Sequence, residues 1–279
     1  MNLHRQGYQV AAHAAHPEQN QAIKGLARFG FLSKGVVYGL LGVLALLAAW
    51  GKGGSTTDGE GSLQFLGSGP FGTVLVALVG IGLAGYALWR FIEAIRDPRH
   101  VGSDSKGLAK RASYAASGLF NGALAVTAFQ LAFGNGSSGG GQQTWIAKAM
   151  SVPFGQFLVG AIGVAVVASA VSQFRKAWNE KFMNDLETSR MSAKERTWTQ
   201  KLGKLGIAAR AAVFVIIGVA VTRAAINHSP GQAKGVGEAL RDIGQSTWGT
   251  ALLTIVAAGF VAYAAYMLAC TRFRKLVRR

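Results

Sequence analysis

The run GPFGTVLVALVGIGLAGYALWRFIEAIRD, from Gly69 to Asp97, limits what this chain can fold into more than any other feature. Between Phe71 and Ile92 the one charged residue is Arg90, near the end. As a helix those residues extend roughly 33 Å, enough to cross a hydrocarbon core of about 30 Å. Ala77, Gly80, Ala84 and Ala87 recur at helical spacing along one side. Lipid tails are as apolar as leucine, so helices in a bilayer associate where small residues let backbones approach and gain dispersion contacts. The run, 71–92, therefore reads as a membrane span made to pack on another. Five more stretches read alike: 31–50, 114–133, 154–174, 206–226 and 248–270. A water-soluble chain of 279 residues, half of them hydrophobic, would distribute them periodically rather than in runs of about twenty. The expectation is an all-α, polytopic membrane protein with six transmembrane helices.

The segments between the spans are polar. Residues 1–21 form a tail without an apolar core long enough for a secretory leader, so span one is expected to act as the insertion signal. His4, His13 and His16 lie in that tail with no cysteine or carboxylate spaced to complete a zinc site. Cys270 is the one cysteine, which excludes an intrachain disulfide or a multi-cysteine metal centre. No cofactor or metal is expected. A short helix is expected from Pro17, followed by span one with Gly35-x-x-x-Gly39 and Gly42. The links before spans two, four and six read as glycine-rich loops, with one amphipathic turn over Ser62 to Leu66. Ser192-x-x-Glu195 has capping-box spacing, and Trp198, Leu202 and Leu205 share a face, which predicts an interfacial helix leading into span five.

Fixed offsets bring the spans into register. At an offset of 83 residues Arg28 meets Arg111, Gly35 meets Gly118, Gly39 meets Gly122, Gly80 meets Gly163, and Pro70-Phe71-Gly72 meets Pro153-Phe154-Gly155. In a more diverged third copy Gly30, Lys34 and Gly42 fall on Gly206, Arg210 and Gly218. After one extra loop residue, Phe71-Gly72 falls on Trp248-Gly249 and Tyr86 on Tyr263. The units are 22–97, 105–178 and 192–276, each a two-span hairpin. An even number of spans gives every copy the same orientation, so the three parallel hairpins are expected around a pseudo-threefold axis along the membrane normal. Gly35, Gly39, Gly42, Gly80, Gly118, Gly122, Gly163 and Gly218 are the expected helix-packing glycines.

A net charge of +17 would suggest nucleic acid in a soluble protein; beside membrane spans it reads as the positive-inside bias and attraction to anionic phospholipid. Arg96, Arg99, Lys106, Lys110 and Arg111 follow span two. Arg175, Lys176, Lys181, Arg190, Lys194, Arg196, Lys201 and Lys204 follow span four, and the tail adds five more basic residues. The opposite loops hold only Lys52, Lys148, Lys234 and Arg241. Both termini are therefore expected in the cytoplasm. Trp50, Trp145 and Trp248 on the outer side, with Trp89 and Trp178 on the inner, fit two aromatic belts.

The stretches ARFGFLSKGVVYGLLGVLALLAAWG, GSLQFLGSGPFG and GLAGYALWRFIEAIRD together resemble the bacterial membrane family known as domain of unknown function 1206. Copy one carries the resemblance well. Copy two keeps Val152-Pro153-Phe154-Gly155 but has Ser172-Gln173 for the aromatic-arginine ending, and copy three has Met267 where copy one has Arg90. The resemblance implies three two-span repeats over about residues 22 to 276 and a bacterial inner-membrane location. It implies no activity.

Lys34 enters span one and Glu93 leaves span two on the same side, with Arg90 one turn before Glu93. Either the three snorkel separately to headgroups, or they form an intramembrane ion-pair cluster clasping hairpin one. A pore would need polar groups at equivalent mid-span positions, yet Leu41-Gly42-Val43, Leu124-Ala125-Val126 and Ile217-Gly218-Val219 supply none. Asn121, Thr127, Gln130 and Thr254 are isolated. Ser137-Ser138-Gly139-Gly140 lies in an outer loop and His228 at a span end with no partner that would make a hydrolase, and Gly136 to Gly141 lacks the lysine of a phosphate-binding loop, so no enzyme is expected. The leading expectation is a non-catalytic membrane scaffold that binds anionic phospholipid, a protein partner or a second copy. The alternative is a channel or transporter for a small solute between the hairpins.

Overall fold

A computed structural model describes residues 17–52, 55–69, 71–98, 101–134 and 142–275, with no account of the side chains at 17–24, 26 and 142–145. The N-terminal histidines, Pro70 and the stretch Ser137 to Gly141 lie outside the described residues. The helices are α1 (Pro17–Ala49), α2 (Gly59–Gly67), α3 (Gly72–Arg96), α4 (Ser105–Ala132), α5 (Gln142–Met150), α6 (Gly155–Trp178), α7 (Ala193–Ile226), α8 (Val236–Gly244) and α9 (Gly249–Phe273). Six of them, α1, α3, α4, α6, α7 and α9, are long and apolar enough to cross a membrane. The protein is thus an all-helical six-span chain.

The helices that approach the spans are longer than the sequence pattern suggests. The short helix expected from Pro17 is continuous with span one as α1. The interfacial helix expected after Ser192 is continuous with span five as α7. A polarity change along a helix face does not interrupt its backbone hydrogen bonds, so no break is required there. The start of α7 follows the capping box: the Ser192 hydroxyl accepts from Glu195 N at 3.2 Å, and the Glu195 carboxylate accepts from Ser192 N at 2.9 Å. Asp58 and Asp104 cap α2 and α4 by accepting from Gly61 N and Gly107 N.

The loops expected to be mainly irregular each contain a nine-residue helix: α2, α5 and α8. Their junctions with α3, α6 and α9 explain the repeated aromatic-glycine pair. A Cβ on Gly72, Gly155 or Gly249 would lie 2.1, 1.7 or 1.9 Å from the carbonyl oxygen of Gly67, Ala149 or Gly244. Only glycine admits that backbone approach. Phe71 and Phe154 adopt left-handed φ values of 58° and 61° to make the turn. With Trp248 they leave three large aromatic side chains exposed at one end of the molecule, suited to a membrane–water interface.

Helix pairing is most extensive between consecutive repeats: α3 with α4, α6 with α7, and α9 with α1, all to the same degree. Small residues sit in each seam. A Cβ on Gly80 would be 3.1 Å from Ala128 Cβ; one on Gly218 would be 2.9 Å from the Gly163 carbonyl; one on Gly42 would be 2.8 Å from the Ala257 carbonyl. Gly35 and Gly39 face Ala264, Gly118 faces the Phe91 ring, and Gly122 meets Ala87 more loosely.

Pairing inside the repeats differs. α1 packs on α3 and α7 on α9, but α4 and α6 scarcely approach one another. The glycines account for the difference. In repeat one a Cβ on Gly30 would fall 2.4 Å from Tyr86 Cβ, and one on Gly82 would strike Ser33. In repeat three a Cβ on Gly206 would lie 2.5 Å from Tyr263 Cα, and one on Gly259 would meet Ala209. At the corresponding register in repeat two stand Ser113 and Ala165, both exposed. Each carries a Cβ where the crossings of repeats one and three leave no room for one, so repeat two cannot copy that approach. Neighbouring helices thus run α4–α3–α1–α9–α7–α6, and the two ends of this series belong to one repeat. The unequal pairing within the repeats does not carry the expected threefold axis.

Candidate functional site

Lys34, Arg90, Glu93 and Arg210 lie in the halves of their spans nearer the end of α3 and the start of α7. Tyr86 of α3 is their centre. Lys34 Nζ of α1 lies 4.3 Å from the Tyr86 ring centroid. Arg90 Nε and Nη2 donate to the Tyr86 hydroxyl at 2.8 and 2.5 Å, and Arg90 Nη1 donates to Glu93 Oε2 at 2.7 Å. Lys34 is 6% exposed, Tyr86 2% and Glu93 0%, so none of them snorkels to the surface. The three expected residues are brought together, but not as one ion-pair cluster. Among the described residues Lys34 makes no ion pair; it joins α3 through an aromatic face. Arg90, one turn before Glu93, takes the carboxylate oxygen, while Lys34 approaches from another helix across the ring. Electrostatic attraction to the π face then holds the ammonium.

A second group, missed as a site in the sequence, lies on repeat three. Arg210 of α7 donates to the Tyr38 hydroxyl of α1 at 2.9 Å and to Gln173 Oε1 of α6 at 2.5 Å. Its guanidinium also lies 4.4 Å from the Phe214 ring centroid and 5.3 Å from that of Tyr263. The signal was present in the register: Arg210 falls on Lys34, Tyr263 on Tyr86, and Gln173 on Arg90. Within this group the Tyr38 and Tyr263 rings meet edge to face at 4.7 Å. Because Arg210 reaches α1 past α9, the helix series is curved, with these side chains on its concave side. Arg90 also lies 5.2 Å from the Tyr114 ring centroid of α4. An arginine therefore adjoins each end of the arc.

The C-terminal segment folds onto the connector between α6 and α7. Glu187 N donates to Phe273 O at 2.8 Å, and Lys275 N donates to Asp185 O at 3.0 Å. Asp185 also accepts from Lys176 at 2.6 Å and pairs with Arg274 at 3.5 Å. A groove of about 540 Å³ is lined by Trp198, Leu202, Ala265 and Phe273 and is separate from the tyrosine cluster. Among the described residues no three His, Cys, Asp or Glu side chains gather as metal ligands. A set of cations and phenols with few carboxylates is suited chemically to holding an anion, through charge and donated hydrogen bonds.

Six apolar helices in three sequence repeats, with a cation–tyrosine cluster inside, define a class of polytopic helical membrane protein. The chain belongs to the family described as Domain of Unknown Function (DUF1206), whose pattern matches residues 29–97, 112–180 and 205–274. It is 35% identical over 244 residues to an uncharacterised protein, YxxB, of Bacillus subtilis (strain 168), covering 88% of each chain. No solved structure matches it.

Proposed function

We propose that the protein is a non-catalytic component of the bacterial cytoplasmic (inner) membrane, a scaffold with both termini in the cytoplasm. Its basic connectors engage anionic phospholipid there and leave a charged surface for a protein partner or a second copy. The observation that carries this reading is the asymmetric charge. Arg175, Lys181, Arg190, Lys194, Arg196 and Lys201 are all exposed on one face. The opposite face has Lys52, Lys148, Lys234 and Arg241, to which Arg223 in the last turn of α7 is added. Each basic residue near an anionic surface contributes about 1 kcal/mol of attraction. Vesicles containing phosphatidylglycerol should bind a peptide of residues 175–204, and binding should fall about tenfold or more between 0.1 and 0.5 M salt, because exposed charges are screened. Binding indifferent to salt would refute the lipid part.

The mid-depth contacts Gly42–Ala257 and Gly163–Gly218 support a non-conducting reading over a channel, since helices there touch through backbone and small side chains. Liposomes containing the purified protein should release neither chloride nor potassium faster than empty ones. A flux above that background would favour the transporter instead.

A further inference from the structure

We infer that the concave face opening between α4 and α6 binds the phosphate-bearing headgroup of one anionic phospholipid, which enters sideways from the bilayer. This goes beyond the surface attraction proposed above and does not depend on which face is cytoplasmic. The opening lies where Ser113 and Ala165 stand in place of the glycine pairs that close repeats one and three. α4 and α6 are consequently the least buried spans, 22% and 17% against 44–56% in the other four. Both flanks of the opening carry polar groups unusual for a lipid-facing span. Tyr114 and Ser117 lie on α4, half-buried, and Ser169 lies exposed on α6, where it meets Gln173. Gln173 is five residues from the end of α6 at Trp178, or about 8 Å along the helix, which is headgroup depth.

Behind these flanks stand Arg90, Lys34 and Arg210, with Glu93 as the one carboxylate bonded into the group. Two of the three cations, Lys34 and Arg210, are held by rings, hydroxyls or an amide rather than by an acid. Isolated cations at membrane depth are expensive, and an incoming phosphate would offset that cost while accepting several charge-assisted hydrogen bonds. A gap between two spans is open to what fills the bilayer. A phospholipid brings the anion and apolar tails together to the same place.

Full-length protein in neutral detergent, titrated with phosphatidylglycerol and followed by native mass spectrometry, reads occupancy directly. One lipid per chain should remain bound at about 0.5 M salt, where exposed charges are screened within about 4 Å. Phosphatidylcholine at equal concentration should not replace it. Arg210→Gln should weaken binding about tenfold or more, one lost charge-assisted contact. Joint neutralisation of Lys194, Lys201 and Lys204, in the polar first turns of α7, removes surface attraction but should leave the lipid retained at about 0.5 M salt in place. If Arg210→Gln fails to fold, a photoactivatable phosphatidylglycerol on the unaltered chain decides: label should concentrate on α4 and α6. Displacement by millimolar inorganic phosphate would assign the site to a free anion and overturn the lipid assignment. Full retention by folded Arg210→Gln, loss of the salt-resistant lipid from the triple-lysine variant, or label spread evenly over six helices would overturn it too. Failure of the salt-dependent peptide binding would leave this inference standing, and the reverse also holds.

Discussion

Tyr86 places the Lys34 ammonium of α1 on its ring face and the Arg90 guanidinium of its own helix on its hydroxyl, so it connects α1 to the charged end of α3. Tyr86→Phe keeps the face and removes the acceptor. The expected loss is about 1.5–3 kcal/mol, because the bond lost is to a charged donor. Tyr86→Leu also removes the seat for Lys34 and should cost about 0.5–2 kcal/mol more. Thermal unfolding in detergent, with both variants beside the parent, checks the order; equal effects would mean the ring face contributes nothing. Lys34, Arg90 and Glu93 stood out in the sequence because charges inside apolar runs are rare. Their mutual arrangement did not. An aromatic ring that carries a cation has no pattern different from an aromatic ring in a core, and Tyr86 is far from Lys34 along the chain.

At the scale of elements, the two glycine crossings should be intolerant of volume and their counterpart in repeat two should not. Gly30→Leu and Gly206→Leu insert a side chain where a backbone or Cβ atom already lies, and each should cost about 1–3 kcal/mol or more through overpacking. Ser113→Leu, in the open repeat, should leave the unfolding temperature nearly unchanged. An equal loss at all three positions would contradict the opening. The start of α7 gives a second check. The backbone N–H of Ser192, followed by its hydroxyl, holds the Glu195 carboxyl below the usual carboxylate range. A lowered folded value means the stabilisation is present above the unfolded value near pH 4.3 and is lost as pH falls through the folded one. Ser192→Ala should therefore speed amide exchange at the first turn of α7 at neutral pH, and the difference from the parent should shrink under acid. This capping box was legible in the sequence because its spacing is local. The fusion of α1 and α7 with their polar leads was not legible, because a polarity boundary and a helix boundary look alike in the letters. Of the nine-residue helices, α2 showed in part as the amphipathic turn over Ser62 to Leu66, whereas α5 and α8 were hidden by surrounding glycine and serine.

For the whole molecule, the proposed topology predicts that cysteines placed at Ser105 and Ser189 label from one side of sealed vesicles and one at Lys52 from the other. Labelling of all three from one side would refute the six-span arrangement. The sequence alone determined the number of spans, their pairing into repeats and the sidedness of charge. Span length, polarity and register are properties of the chain read one residue after another. Tertiary structure decided which helices are neighbours. Different repeats pair more extensively than the halves of any one repeat, and the series stays open where Ser113 and Ala165 stand. The physical reason is that helix approach in a bilayer depends on small residues meeting across two surfaces. A glycine in the sequence shows that close approach is available, but only the fold shows which backbone takes it up.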